Sequence, residues 1–364
     1  MKNIKNMTPK DISTFRLNTQ QLLGTQHKTV KELVQWMGAI QAQDYPMAKW
    51  AVGSRLPNST DKLIEDAINK GDIIRTHLLR PTWHLAVKED VRWMLELSVP
   101  QIKTLMRSAN KQLELTNDVF SKSNAIIEKT LSGGKHLSRE ELAIKLEAAK
   151  INTQGTRGIH IFLQAEMDGI ICSGAMKDKK TTYALFDERI PKSKSLKKEE
   201  ALVKLAQRYF ESHSPATLKD FYWWSGLPMA DAKKGLDLVK ENLTSERVGE
   251  EEFWFPQDSF LKVDKKQTVH LLPAFDEYLI SYKSRNVSIL SDHQPKAFTS
   301  NGIFKPIIVI NGQVEGIWKR SIKKDKVLIE PESFQKPSKS VIEAIEKEAI
   351  TFGNFLGLEV ELTL

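Results

Sequence analysis

The chain has 364 residues, 40% of them apolar, and carries 54 Lys and Arg against 46 Asp and Glu, a formal charge of +8. That length suits two or three domains with real cores, and no apolar run approaches the ~20 residues needed to cross a bilayer. Cys172 is the sole cysteine, which excludes an internal disulfide and a cysteine-cluster zinc site. A lone cysteine fits a reducing cytoplasm, and Met1 to Thr8 has lysines but no apolar core after them, so no signal peptide is expected. With a pI near 9.2, the positive excess is either a lysine-rich solvated surface or an electrostatic footprint for phosphate backbones.

In chain order, Thr8 caps a helix from Pro9 to about Leu23, and Thr29 another ending near Gly38. Between that helix and the next lies Gln41-Ala42-Gln43-Asp44-Tyr45-Pro46. Pro46 disfavours the helical basin for Tyr45, so residues 41–46 read as a turn between helices. Thr60-Asp61 opens a helix that Gly71 stops. The period then changes: residues 73–80 and 82–87 read as two short strands about Pro81. Helices followed by a two-stranded hairpin form the pattern of a winged helix, and the pattern recurs. A helix from Asn117 to Leu131, a capping box at Ser138-Arg139-Glu140-Glu141 and a helix from Ile159 to Met167 precede a hairpin whose tip is Lys177-Asp178-Lys179-Lys180. After a basic linker, Pro191 to Lys198, come helices over 198–212, 218–224 and 230–240 and an alternating wing over 245–255. The aromatic run Phe221-Tyr222-Trp223-Trp224 is either a base-stacking surface or a packed helix core, and burial is the commoner fate of Trp.

From Thr268 the reading is of strands, with Asn311-Gly312 as a hairpin turn, a basic connection from Lys319 to Lys326, one helix over 340–352 and a last strand. The fold class is therefore α+β: three tandem winged-helix modules, over 1–116, 117–190 and 195–256, on a β-barrel-like scaffold with one helix over 257–364. Three modules suggest a cradle around one duplex rather than a dimeric repressor.

Candidate chemistry is sparse. His77 and His84 lie seven apart with no cysteine or close carboxylate to complete a ligand set, so no metal is expected. No phosphate-binding or dinucleotide glycine fingerprint calls for a cofactor, and no nucleophile elbow is present. Asp276-Glu277 could be general acid and base; an ion pair with Arg285, or capping after Pro273, is the plainer reading. The two carboxamides of Gln41 and Gln43 either satisfy buried backbone at a helix junction or hold something there. Asp44 is a third reactive group, a helix N-cap, or half of a pair with Arg55.

The segments Ala39 to Pro46, Arg75 to Leu85 and Leu272 to Leu279 together resemble the AlkZ/YcaQ group of winged-helix DNA glycosylases, in order and spacing, over nearly the whole chain. The resemblance implies three winged helices on a β-barrel in a C-shaped, DNA-embracing arrangement. It also implies that Gln41-Ala42-Gln43 is the catalytic Gln-apolar-Gln motif. A purine alkylated at N7 is already cationic, so its glycosidic bond needs a positioned water rather than a proton. A carboxamide cannot act as a base at neutral pH but can orient a water through its donor and acceptor. Gln41, Gln43 and Asp44 are the expected catalytic residues of a monofunctional enzyme, since no lysine sits at the motif. Arg75, His77, Arg80, His84, Lys177, Lys179 and Lys180 are the expected contacts to double-stranded DNA, and a monomer is expected. A non-catalytic winged-helix regulator is the alternative.

Overall fold

In the computed structural model, residues 7–259 and 267–363 are described. Residues 1–6, most of the stretch read for a signal peptide, lie outside them, as do residues 260–266 just past the expected boundary at 257. Helix α1 (Pro9–Thr19) starts on a capping box between Thr8 and Asp11. It ends four residues sooner than its sequence suggested, because the next residues turn back with Gln21 at φ +62°.

Three stretches of chain then share one order of elements. In the first, α2 (Val30–Met37), β1 (Ile40–Gln41), α3 (Tyr45–Gly53), α4 (Asp61–Lys70), β2 (Ile73–Leu78) and β3 (Thr82–Val87) follow one another. The first strand pairs with the last, giving the sheet order β1-β3-β2. Helix α5 (Lys88–Gln112) leads to the second, α6 (Asn117–Leu131), β4 (Leu137–Ser138), α7 (Arg139–Ala148), α8 (Thr156–Met167), β5 (Ile171–Ser173) and β6 (Thr182–Leu185), ordered β4-β6-β5. A short α9 (Phe186–Arg189) precedes the third: α10 (Lys198–Ser212), α11 (Leu218–Ser225), α12 (Met229–Val239), β7 (Leu243–Val248) and β8 (Glu251–Pro256). Here the place of the first strand is taken by a single bridge from Ala216 to Trp254 on β8.

The remaining chain forms an open five-stranded sheet in the order β13-β12-β11-β10-β9. Its strands are β9 (Val269–Leu272), β10 (Ile307–Ile310), β11 (Gln313–Ile322), β12 (Lys326–Ser333) and β13 (Glu359–Leu362), with α13 (Glu277–Ile280) and α14 (Gln294–Ala297) between the first two and α15 (Lys339–Leu356) before the last. The β10–β11 turn has Asn311 at φ +49° and Gly312 at φ +84°, as a two-residue hairpin requires. Two aromatic contacts tie this part to the first unit, Trp50 of α3 meeting Phe352 and Phe355 of α15, while Trp318 of β11 meets Phe352 and seats α15 on the sheet. A second core joins the β2–β3 hairpin and α5 to α10, α11 and α12. The loop after β9 therefore meets the first and third units, and the glutamine motif lies there. Among the described residues, no helix is long and apolar enough to cross a membrane.

Candidate active site

Gln41 is not in a turn. It is the second residue of β1, opposite His84 of β3; the strand pairing outweighs the local bias that Pro46 imposes on Tyr45 alone. Its backbone N–H donates to Glu277 Oε1 at 2.6 Å, and its side-chain Oε1 accepts Arg80 Nη2 at 2.8 Å. A guanidinium can only donate, so the amide is oriented with its oxygen inward. Its NH₂ has no acceptor among the described residues. Ala42 is clamped on both sides, its N–H to the Trp83 carbonyl at 2.7 Å and its carbonyl to Arg75 Nε at 3.0 Å. With no exposed surface, position 42 has room for a small side chain only. Gln43 follows past the end of the strand, exposed and without a side-chain partner among the described residues. One carboxamide is thus locked by the protein and its neighbour is free.

Asp44 caps α3, accepting the Met47 N–H at 3.1 Å. Its expected partner Arg55 goes elsewhere: the Arg55 guanidinium meets both oxygens of Asp276 at 2.8 and 2.9 Å. Nor does Arg285 pair with Asp276 or Glu277; its Nε donates to the Leu279 carbonyl at 2.9 Å. Asp276 caps α13 through the Tyr278 N–H at 2.9 Å. Glu277, 1% exposed, receives Gln41 N–H on one oxygen and, on the other, Trp224 Nε1 at 3.2 Å and the Ser281 hydroxyl. His213 Nε2 stands 3.5 Å from that oxygen. Burial alone would raise the pKa of Glu277, but the His213, Ser281 and Gln41 donors outweigh it and hold it down at about 2. Glu277 is therefore a buried carboxylate wholly spent on orientation, and it links Gln41 to the third unit.

The other candidates fall into two groups. Arg75, His77, Arg80 and His84 lie on β2, β3 and the turn between them, and none of the four is exposed. Arg75 is half-buried, its guanidinium 4.0 Å from the Trp83 ring centre. His77 Nδ1 lies 3.0 Å from Glu166, whose same oxygen accepts the His77 N–H and the Thr76 hydroxyl. Arg80 is committed to Gln41. His84 is fully buried; its Nδ1 is 2.9 Å from the Thr82 carbonyl, which can only accept, so Nε2 is a bare acceptor, enclosed and unpartnered. Burial, with the Arg80 charge nearby, pulls its pKa down to about 3. Lys177, Lys179 and Lys180 are exposed at the β5–β6 tip, Lys177 in an ion pair with Glu141. Of the aromatic run, Phe221 and Trp224 are core, while Tyr222 is 38% exposed. The partnership of Gln41 with Arg80 and Glu277 went unseen in the sequence, although both partners sit inside segments that stood out there.

The chain matches known proteins in family and in fold. A family model described as AlkZ-like DNA glycosylase matches residues 34–355. An interstrand DNA cross-link repair glycosylase of Streptomyces sahachiroi is 21% identical over 354 residues, covering 93% of this chain and 94% of that protein. The solved structure of the Streptomyces sahachiroi DNA glycosylase AlkZ superposes with a TM-score of 0.81 at 19% identity, over 99% of this chain and 100% of that one.

Proposed function

The chain belongs to the AlkZ-like DNA glycosylase family, and on that premise we propose that it hydrolyses the N-glycosidic bond of N7-alkylated, including crosslinked, purines in duplex DNA. One observation carries this reading: Gln41 is oriented by Arg80 and Glu277 so that its NH₂ has no acceptor among the described residues, two positions from an exposed Gln43 that has no side-chain partner among them. Two carboxamides, one fixed and one free, suit a water or a lesion oxygen better than they suit a structural junction, where both would be satisfied. The leaving base is already cationic, so orienting the water and tolerating oxocarbenium character are sufficient. Asp44, occupied as a cap, is assigned to positioning of α3 rather than to the chemistry. The lysine nearest in sequence, Lys49, holds a double ion pair with Asp61 and Glu65 at 2.7 and 3.0 Å, which ties up its amine and favours a monofunctional enzyme that leaves an abasic site.

The order helix–strand–helix–helix–strand–strand in the first two stretches, with a single bridge in place of the first strand in the third, supports reading residues 1–116, 117–190 and 195–256 as winged-helix modules against a sheet scaffold over 257–364. Lys177, Lys179 and Lys180 at a wing tip are the proposed phosphate contacts. The test is base release from a duplex carrying one N7-methylguanine, comparing wild type with Gln41→Ala and Gln43→Ala. Abasic sites formed by wild type and lost in both variants, with duplex binding kept, are expected. Tight binding without release by wild type would favour a winged-helix binder without the chemistry.

A further inference from the structure

Beside the motif, between the first and second units, lies a cavity of about 160 Å³ lined in part by Tyr45, Arg75, Trp83, Arg139, Met176 and Tyr183. Ligand sites for drug-sized molecules are commonly roughly 300–1,000 Å³, so this one suits a single ring system. Its walls are largely aromatic, and three of its side chains keep donors without acceptors among the described residues. The Tyr45 hydroxyl is buried and unpartnered. Arg75 uses only Nε, on Ala42, and Arg139, 5.4 Å from the Phe162 ring centre, has no hydrogen-bond acceptor among the described residues. Arg75 also holds the carbonyl that precedes Gln43, and Tyr45 follows Gln43 by two residues. Met176 and Thr181 bracket the basic tip Lys177–Lys180 at the rim of the cavity. A ligand here would therefore lie between the exposed glutamine and the proposed phosphate contacts.

We propose that this cavity receives a planar aromatic ring bearing an acceptor oxygen, supplied by the lesion, and that Tyr45, Arg75 and Trp83 determine which lesions are accepted. The inference rests on the glycosylase reading above. Stacking on Tyr45 and on the Arg75 guanidinium, which Trp83 backs at 4.0 Å, is tolerant of ring identity, while the spare donors select for a carbonyl-type oxygen such as O6 of guanine. Two sources present that chemistry: the alkylated purine itself, or an oxygenated aryl group carried on its N7.

The cavity is tested by filling it from the rim with Met176→Trp and, at an exposed position, Thr181→Trp. Base release is measured on duplexes carrying N7-methylguanine or an N7-guanine adduct with an oxygenated benzyl group. Calorimetry follows binding of 7-methylguanine and of the matching oxygenated 7-benzyl analogue to wild type. If the purine is the occupant, both free bases bind and filling raises KM on both duplexes about tenfold, the scale of one lost stacking contact. If the aryl group is, only the benzyl analogue binds and only its duplex suffers. Filled, folded variants that cleave both duplexes like wild type, with neither free base bound, overturn the pocket and leave the glycosylase reading standing. A wild type that releases neither base sinks that reading, and calorimetry alone then decides the cavity.

Discussion

Glu277 and His84 are the residues whose placement says most about how the motif is held. Replacing Glu277 with Gln would put an NH₂ among the Trp224, Ser281 and Gln41 donors and leave at least one of them unanswered. Breaking a buried, hydrogen-bonded charge in this way costs roughly 3 kcal/mol, and Gln41 would lose half of its anchoring. We expect a lowered denaturant midpoint, and a kcat reduced at least tenfold under conditions where the variant is still folded. Wild-type kcat in a destabilised variant would show that Glu277 is architectural only. His84 makes a separate prediction with pH. Its folded pKa of about 3 lies below the ordinary 6.5, so the unfolded chain binds the extra proton and stability rises with pH across that window. The contribution is complete above pH 6.5 and is lost as pH falls toward 3, about 2 kcal/mol of it by pH 5. Unfolding free energies at pH 7.5 and 5 should show that loss in wild type and a smaller one in His84→Gln. An equal loss in both would mean that His84 does not drive the acid sensitivity.

At the scale of elements, two connections hold the motif in place, and they differ in how far the sequence announces them. The cap of α3 is local: Asp44 stands three residues before the N–H it accepts. Asp44→Asn keeps a capping oxygen and should leave stability and most activity intact, whereas Asp44→Ala should cost about 1 kcal/mol. An Asn variant as inactive as Gln43→Ala would instead make the carboxylate part of the chemistry. Helix starts were legible for the same reason, since Thr8, Thr29, Thr60 and Ser138 each lie within three residues of the N–H they cap. The strand β1 was not legible, being two residues long and defined by partners on β3 more than forty positions on. The link from Gln41 to Glu277 spans 236 residues, and no periodicity carries information over that distance. The second connection is the seat of α11 on the β2–β3 turn. Gly226 ends α11 at φ +65°, and a Cβ there would stand 2.3 Å from the Leu79 carbonyl oxygen and 3.0 Å from Arg80 Cγ. Gly226→Ala should therefore destabilise by about 2 kcal/mol and push Arg80 off Gln41, lowering base release more than DNA binding. Unchanged turnover would show that Arg80 has slack in its position.

For the whole molecule, the sequence leaves a charge of +8 readable as a solvated surface or as a footprint for phosphates. The structure answers in terms of distribution rather than total. Much positive charge is internal or paired: Arg16 and Arg55 are buried against Asp220 and Asp276, Arg80 holds Gln41, and Lys204 and Arg208 share Asp90. Such groups cannot release counterions when a duplex docks. The tip lysines can, because Lys179 and Lys180 are exposed and carry no ion pair among the described residues, while Lys177 already has Glu141. Asp178 and Lys179 sit at φ +50° and +62°, a tight two-residue turn that holds the neighbouring cations at the end of the hairpin. Each phosphate neutralised adds about 0.9 to the slope of log affinity against log salt. Lys179→Ala with Lys180→Ala should thus flatten that slope by about 2, and Lys177→Ala by less, because its ammonium must first leave Glu141. The measurement is duplex affinity by anisotropy between 50 and 200 mM salt, on unmodified DNA so that lesion recognition does not enter. A double variant with the wild-type slope would place the duplex elsewhere on the protein, and the cavity under the tip would then lie away from the DNA it is proposed to read.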